Sequence, residues 1–192
     1  MGQRAHDGGP LLRVLAQGAL SETTRLHQLI NGPGTFHVLV FTSDMLRSTA
    51  SSNTLVDNSG VATTNESRLV KDLESSLKSW RSQWAYSPPT GRSLFQVHVL
   101  AALPDTIGGP TFEDPTKVVA DTLVAKEQGN GRVYWDQTKI VHERYGVRVK
   151  GGAGAIIVIR PDSHIGFRVQ GAGQPAWQDV DNYFHSILSS RQ

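Results

Sequence analysis

The chain has 192 residues, of which 38% are hydrophobic and 19% charged, the balance of one ordinary globular domain with room for a proper core. Its formal net charge is only +2, and its Lys and Arg are scattered, so the basic stripe of a nucleic-acid binder is missing in spite of a pI near 9.0. There is no cysteine, which removes disulfides, thiolate nucleophiles, iron–sulfur clusters and cysteine zinc sites together.

The first predicted element is a helix over "SETTRLHQLING", residues 21–32. Ser21 can cap it, Leu26, Leu29 and Ile30 share a face, and Gly32 suits the position after its end. "TFHVLVFTS", residues 35–43, is a nearly unbroken β-prone run, the pattern of a strand covered on both faces. Residues 43–62 are rich in Ser, Thr and Asn and read as a mobile loop. Thr63 and Glu66 then fit a capping box, followed by Leu69, Val70, Leu73, Leu77, Trp80 and Trp84 at helical spacing before Pro88-Pro89.

"SLFQVHVLAAL", residues 93–103, is a second buried-type strand. Asp114-Pro115 is a good helix start, with a capping acid and then Pro at the first helical position, and the helix is expected to reach Glu127. "RVYW" fits a short strand, and Asp136 caps a brief helix through Tyr145 that Gly146 closes. After "VKGGAGA", "AIIVIRPDSHIGFRV" at 155–169 reads as two strands and a tight turn. From Pro175 a last helix puts Trp177, Val180, Phe184 and Ile187 on one face.

The core order is strand–helix–strand–helix–strand, an insertion with helices, then strand–strand–helix. Alternation implies parallel pairing with right-handed crossovers, and the late hairpin adds antiparallel strands. The expected class is therefore α/β: a mixed central sheet flanked by helices, closing with a β-hairpin and a helix, in a single domain over 1–192. No run of about 18 apolar residues occurs, so no membrane span is expected. "MGQRAHDGGP" lacks an apolar signal core, which argues for a cytoplasmic protein and leaves the sequon Asn65-Glu66-Ser67 as chance.

This order is that of the thioredoxin fold. "TRLHQLINGPGTFHVLVFTSDM", "VHERYGVRV" and "GAIIVIRPDSHIGFRV" resemble the C-terminal thioredoxin-like dimerisation domain of flavin-dependent aromatic hydroxylases of the phenol 2-monooxygenase type. The likeness runs from "GQR" at 2–4 to the last helix, with His6 where the family usually has Pro. It implies a role in aromatic-compound or secondary metabolism, with a homodimer or a flavin-dependent monooxygenase as partner. The flavin and substrate domains of those enzymes do not fit into 192 residues, and neither Gly8-Gly9 nor Gly151-Gly152-Ala153-Gly154 lies between a strand and a helix start, so no cofactor is expected.

Thiol redox chemistry in this fold needs cysteines at the start of the helix after the first central strand. Here that stretch is "TSDMLRST", Thr42 to Thr49, with no sulfur except Met45. The cis-proline that faces such cysteines is replaced by "KGGAGA", and the buried proton-relay acid would fall near Val40. Thiol redox is excluded.

The seven histidines (His6, His27, His37, His98, His142, His164 and His185) show no H-x-H or i,i+4 pair, so no metal site is expected. His142 and Glu143 are adjacent on a helix and point apart. His37 and His98 sit in strands expected to be neighbours, as packed or hydrogen-bonded groups. Ser43-Asp44 stands where a strand ends and α/β sheets bind ligands, although turn and capping chemistry explains it more simply. Two functions follow. The first is a redox-inactive, non-catalytic module for self-association or for attachment to a hydroxylase. The alternative is a freestanding, cofactor-independent isomerase, cyclase or dehydratase acting on a small aromatic or polyketide-like ligand, with Asp44, His98, His142 and Tyr145 as its candidate acids and bases.

Overall fold

The structure, a computed structural model, describes residues 3–14, 20–31, 34–43, 55–56, 62–63, 75–80, 82–84, 94–102, 131–149 and 152–188. Nine strands are described: β1 (Leu11–Val14), β2 (Leu20–Thr24), β3 (Phe36–Phe41), β4 (Leu55–Val56), β5 (Ala62–Thr63), β6 (Phe95–Ala101), β7 (Gly131–Trp135), β8 (Ala155–Ile159) and β9 (Ile165–Gln170). The described helices are α1 (Leu26–Leu29), α2 (residues 75–80 and 82–84), α3 (Ile140–Arg144) and α4 (Gln174–Leu188). Seven strands form one sheet in the order β2-β1-β7-β6-β3-β8-β9. β3, β6 and β7 run parallel, whereas β8 and β9 and, at the other end, β1 and β2 are antiparallel.

The continuous apolar runs are the central strands because both faces of the sheet are covered. From β3, β6 and β8, the side chains of Val38, Val40, Val97, Val99, Ile156 and Val158 join Leu77 and Trp80 of α2 and Trp177, Val180 and Phe184 of α4. The alternate residues Leu39, Phe41, Leu100, Ile157 and Ile159 pack with Leu26 of α1 and with Val141, Tyr145 and Val147 in and after α3. This two-layer cover is the expected mixed sheet flanked by helices.

Two local expectations change. The helix expected from Ser21 is cut to four residues, because Ser21, Thr23 and Thr24 belong to β2, with Thr23 opposite Leu12 and Thr24 opposite Leu11. Pairing with β1 and the β-branched threonines outweigh the capping preference of Ser21. Within the span read as a loop, Leu55–Val56 pairs antiparallel with Ala62–Thr63, so Thr63 is a strand residue and not a helix cap. The short strand expected at "RVYW" is β7, which lies between β6 and β1. Glu66 and the helix expected from Asp114 lie outside the described residues.

The C-terminal end of α3 follows the sequence closely and its start does not: the N-cap is Lys139, at φ +60 and without a side-chain cap, while Asp136, three residues earlier, accepts the N–H of His142 at 2.9 Å. At the other end Gly146 has φ +61, its N–H reaches Glu143 O at 2.8 Å, and Val147 N–H reaches His142 O at 2.8 Å. This pair of bonds is a Schellman closure, which needs the left-handed residue that "YG" supplies. Residues 3–9 lie against α3 and the β8–β9 turn: Ala5 N–H donates to Ser163 O at 2.8 Å, Tyr145 Oη–H donates to His6 O at 3.0 Å, and Asp7 pairs with Arg25 at 3.1 Å.

Phe184 is fully buried, with ring centroids 4.8 Å from Phe95, 5.4 Å from Phe36, 5.6 Å from Trp84 and 5.9 Å from Trp80. Trp84 Nε1–H also donates to Asp181 Oδ1 at 2.8 Å, tying α2 to α4. Phe184→Ala should therefore cost about 3–5 kcal/mol in urea unfolding followed by tryptophan fluorescence, and a loss below about 1 kcal/mol would contradict this packing.

Candidate functional site

The carboxyl ends of the parallel strands converge on Phe41, Thr42 and Ser43 from β3, Ala101 and Ala102 from β6, and Asp136 after β7. Thr42 N–H donates to Leu100 O at 3.0 Å and Asp136 N–H to Ala101 O at 2.8 Å, which locks these ends together. This is where an open α/β sheet presents chemistry. At the position that thiol chemistry would use, Ser43 is fully buried with φ +52, and its Oγ–H donates to Arg148 O at 2.6 Å.

The opposing "KGGAGA" stretch is held by close approach. A Cβ on Gly154 (φ +77) would stand 2.3 Å from Phe41 O, and one on Gly152 would stand 2.1 Å from Arg148 O. Side chains other than hydrogen do not fit there. No cis peptide bond occurs among the described residues.

Beside this point lies a buried pair that sequence reasoning saw only in part. Asp136 Oδ2 is 2.9 Å from His142 Nδ1, and both side chains are fully buried. The same oxygen accepts the His142 backbone N–H, so the carboxylate orients the ring. The ring of His142 meets Phe41 edge-on at 4.9 Å, and Phe41 is 5.5 Å from Tyr145. The available signal was positional: side chains in the first turn lean back toward the helix start, so a His three residues into a helix reaches an acid that stands just before its N-cap.

Of the candidates read from sequence, His142 and Tyr145 are brought to one ring, that of Phe41. Tyr145 spends its hydroxyl on His6 O, and burial pushes its phenol well above the ordinary range. His98 sits on the same face but further from the strand ends, in β6 opposite Leu39 and two residues back from Leu100, roughly 7 Å along the strand. Asp44 lies outside the described residues.

His98 Nε2 is 3.1 Å from His37 Nδ1, and the two rings stack at 5.4 Å. This is the cross-strand neighbourhood expected of His37 and His98. Burial pushes His37 down to about 4 from an ordinary 6.5. Among the described residues no group of three or more His, Asp or Glu could hold a metal ion, and no helix is long and apolar enough to cross a membrane.

The family model described as "Phenol hydroxylase, C-terminal dimerisation domain" matches residues 14–192. The chain belongs to this family. No curated protein matches it. Among solved structures it is similar to the reduced 2-Cys peroxiredoxin of Plasmodium vivax, at 14% identity and TM-score 0.52 over 100% of this chain and 98% of that one. The thiol peroxidase of Chromobacterium violaceum has 11% identity and TM-score 0.55, over 98% of this chain and 89% of that one. AhpC of Mycobacterium tuberculosis has 11% identity and TM-score 0.52, over 100% and 98%. These likenesses establish the thioredoxin-like fold of the dimerisation-domain chain and nothing of its chemistry.

A pH prediction follows from His37. An unfolded chain binds a proton on this group near pH 6.5, while the folded chain resists it down to about 4. The stability it contributes is full above pH 6.5 and is lost as pH falls toward 4, by on the order of 3 kcal/mol. Urea unfolding of wild type and His37→Gln across this window should show the steeper loss in wild type, and parallel curves would refute it.

Proposed function

We propose that this chain is a redox-inactive thioredoxin-like module of the phenol hydroxylase family that works by association, with a second copy of itself or with a flavin-dependent monooxygenase acting on aromatic compounds. The observation that carries this reading is the state of the strand ends in a chain matched to a dimerisation-domain family over residues 14–192. Where a thiol would stand there is a buried Ser43 hydroxyl bonded to Arg148 O, faced by glycines packed against backbone. A fold that keeps its sheet and gives up its reactive group still offers surface.

The surface best suited to association is β9, the last strand of the sheet. Among the described residues, only the bridge between Arg4 and His164 extends the sheet past its start. Ile165, Phe167 and Val169 pack half-buried against the two core clusters, so what β9 offers for pairing is the backbone of its outer edge. The competing reading, a cofactor-independent isomerase, cyclase or dehydratase, draws support from the Asp136–His142 pair alone. His98 is committed to His37 and Tyr145 to His6.

Size-exclusion chromatography with light scattering should find a dimer in wild type, and Gln170→Pro, at an exposed position of the edge strand, should shift it toward monomer by removing an outward N–H. Pull-down of a flavoprotein tests the other arm. A strict monomer that captures no flavoprotein would overturn the proposal.

A further inference from the structure

We propose that Asp136 and His142 form a binding site in which His142 Nε2 accepts a hydrogen bond from the hydroxyl of a small, neutral, largely apolar molecule. The inference goes beyond association and stands whether or not the chain dimerises.

Asp136 lies before the N-cap of α3, Lys139, and its Oδ2 accepts the His142 N–H at 2.9 Å. A second bond joins the same oxygen to His142 Nδ1 at 2.9 Å and does something that holding the backbone does not require. A carboxylate at Nδ1 holds the proton there and leaves Nε2 as a lone-pair acceptor, the arrangement that readies an imidazole to receive a hydrogen bond or a proton. Yet Nε2 is buried and has no hydrogen-bond partner, and the same is true of Asp136 Oδ1. Buried polar atoms are seldom left so, and each calls for an explanation.

Position distinguishes this orphan from the others. His37 Nε2 is also unpartnered, but it belongs to a ring bonded to His98 well back from the strand ends. His142 stands at the carboxyl end of the sheet, edge-on to Phe41, the last residue of β3. The chemistry of the ligand follows from the atoms. A lone pair asks for a donor, a carboxylate behind the ring disfavours an anion, and the rings of Phe41 and Tyr145 favour an apolar, flat body. Because Nε2 is closed to solvent, entry depends on transient opening at the strand ends, and association should be slow.

The test is a titration of the ¹⁵N-histidine-labelled full chain with phenol, and with benzene as a ring of similar size that lacks the donor. Phenol should shift the His142 Nε2 resonance saturably and raise the melting temperature, and benzene should leave that resonance in place. Asp136→Ala, which removes the acceptor that holds the proton on Nδ1, should weaken phenol binding at least about tenfold. His142→Phe should abolish the phenol-over-benzene preference. Wild type alone decides the matter if either variant fails to fold. No saturable shift with phenol, or an equal shift with benzene, would overturn the proposal.

Discussion

Strand β3 is bound on both edges and covered on both faces, and the rest of the molecule is arranged by that double constraint. It pairs in parallel with β6 from Phe36 to Phe41 and antiparallel with β8 from His37 to Phe41. A strand so placed must be apolar on both faces, which is why Val38 and Val40 look toward α2 and α4 while Leu39 and Phe41 look toward α1 and α3. Its end is equally confined. Gly154 presses against Phe41 O, Ser43 is tied to Arg148, and Phe41 receives the edge of His142. The same packing that stabilises the core therefore decides what the strand ends can do.

The similar peroxiredoxin and thiol peroxidase structures share the architecture at 11–14% identity, so the sheet and its covering helices survive almost complete replacement of side chains. Among the described residues, the strand ends of this chain hold hydroxyl, imidazole and carboxylate groups bonded to one another or to backbone. The buried Ser43 hydroxyl spends its hydrogen on Arg148 O, 2.6 Å away.

Much of the fold could be read from sequence where local signals and tertiary demand agree. β3, β6 and β8 are long apolar runs, "YG" closes α3, and Trp177, Val180 and Phe184 mark the buried face of α4. The N-terminal hairpin could not be read, because LLRV and LSETT are short and half polar, and their stability comes from β7, more than a hundred residues away. The site was legible only in pieces. Asp136 was recognisable as an acid at the start of α3 and His142 as a lone histidine, but their bond depends on how a side chain leans back past the N-cap Lys139. His37 and His98 could be paired in advance, since two adjacent parallel strands bring such residues together.

The central claim, that packing has closed the position where this fold performs thiol chemistry, is tested most directly by restoring the thiol. Ser43→Cys should fold with a cysteine that alkylating reagents modify far more slowly in the native protein than in urea, and that does not turn over peroxide. Native-state labelling as fast as in urea, or peroxide consumption by the variant, would contradict it.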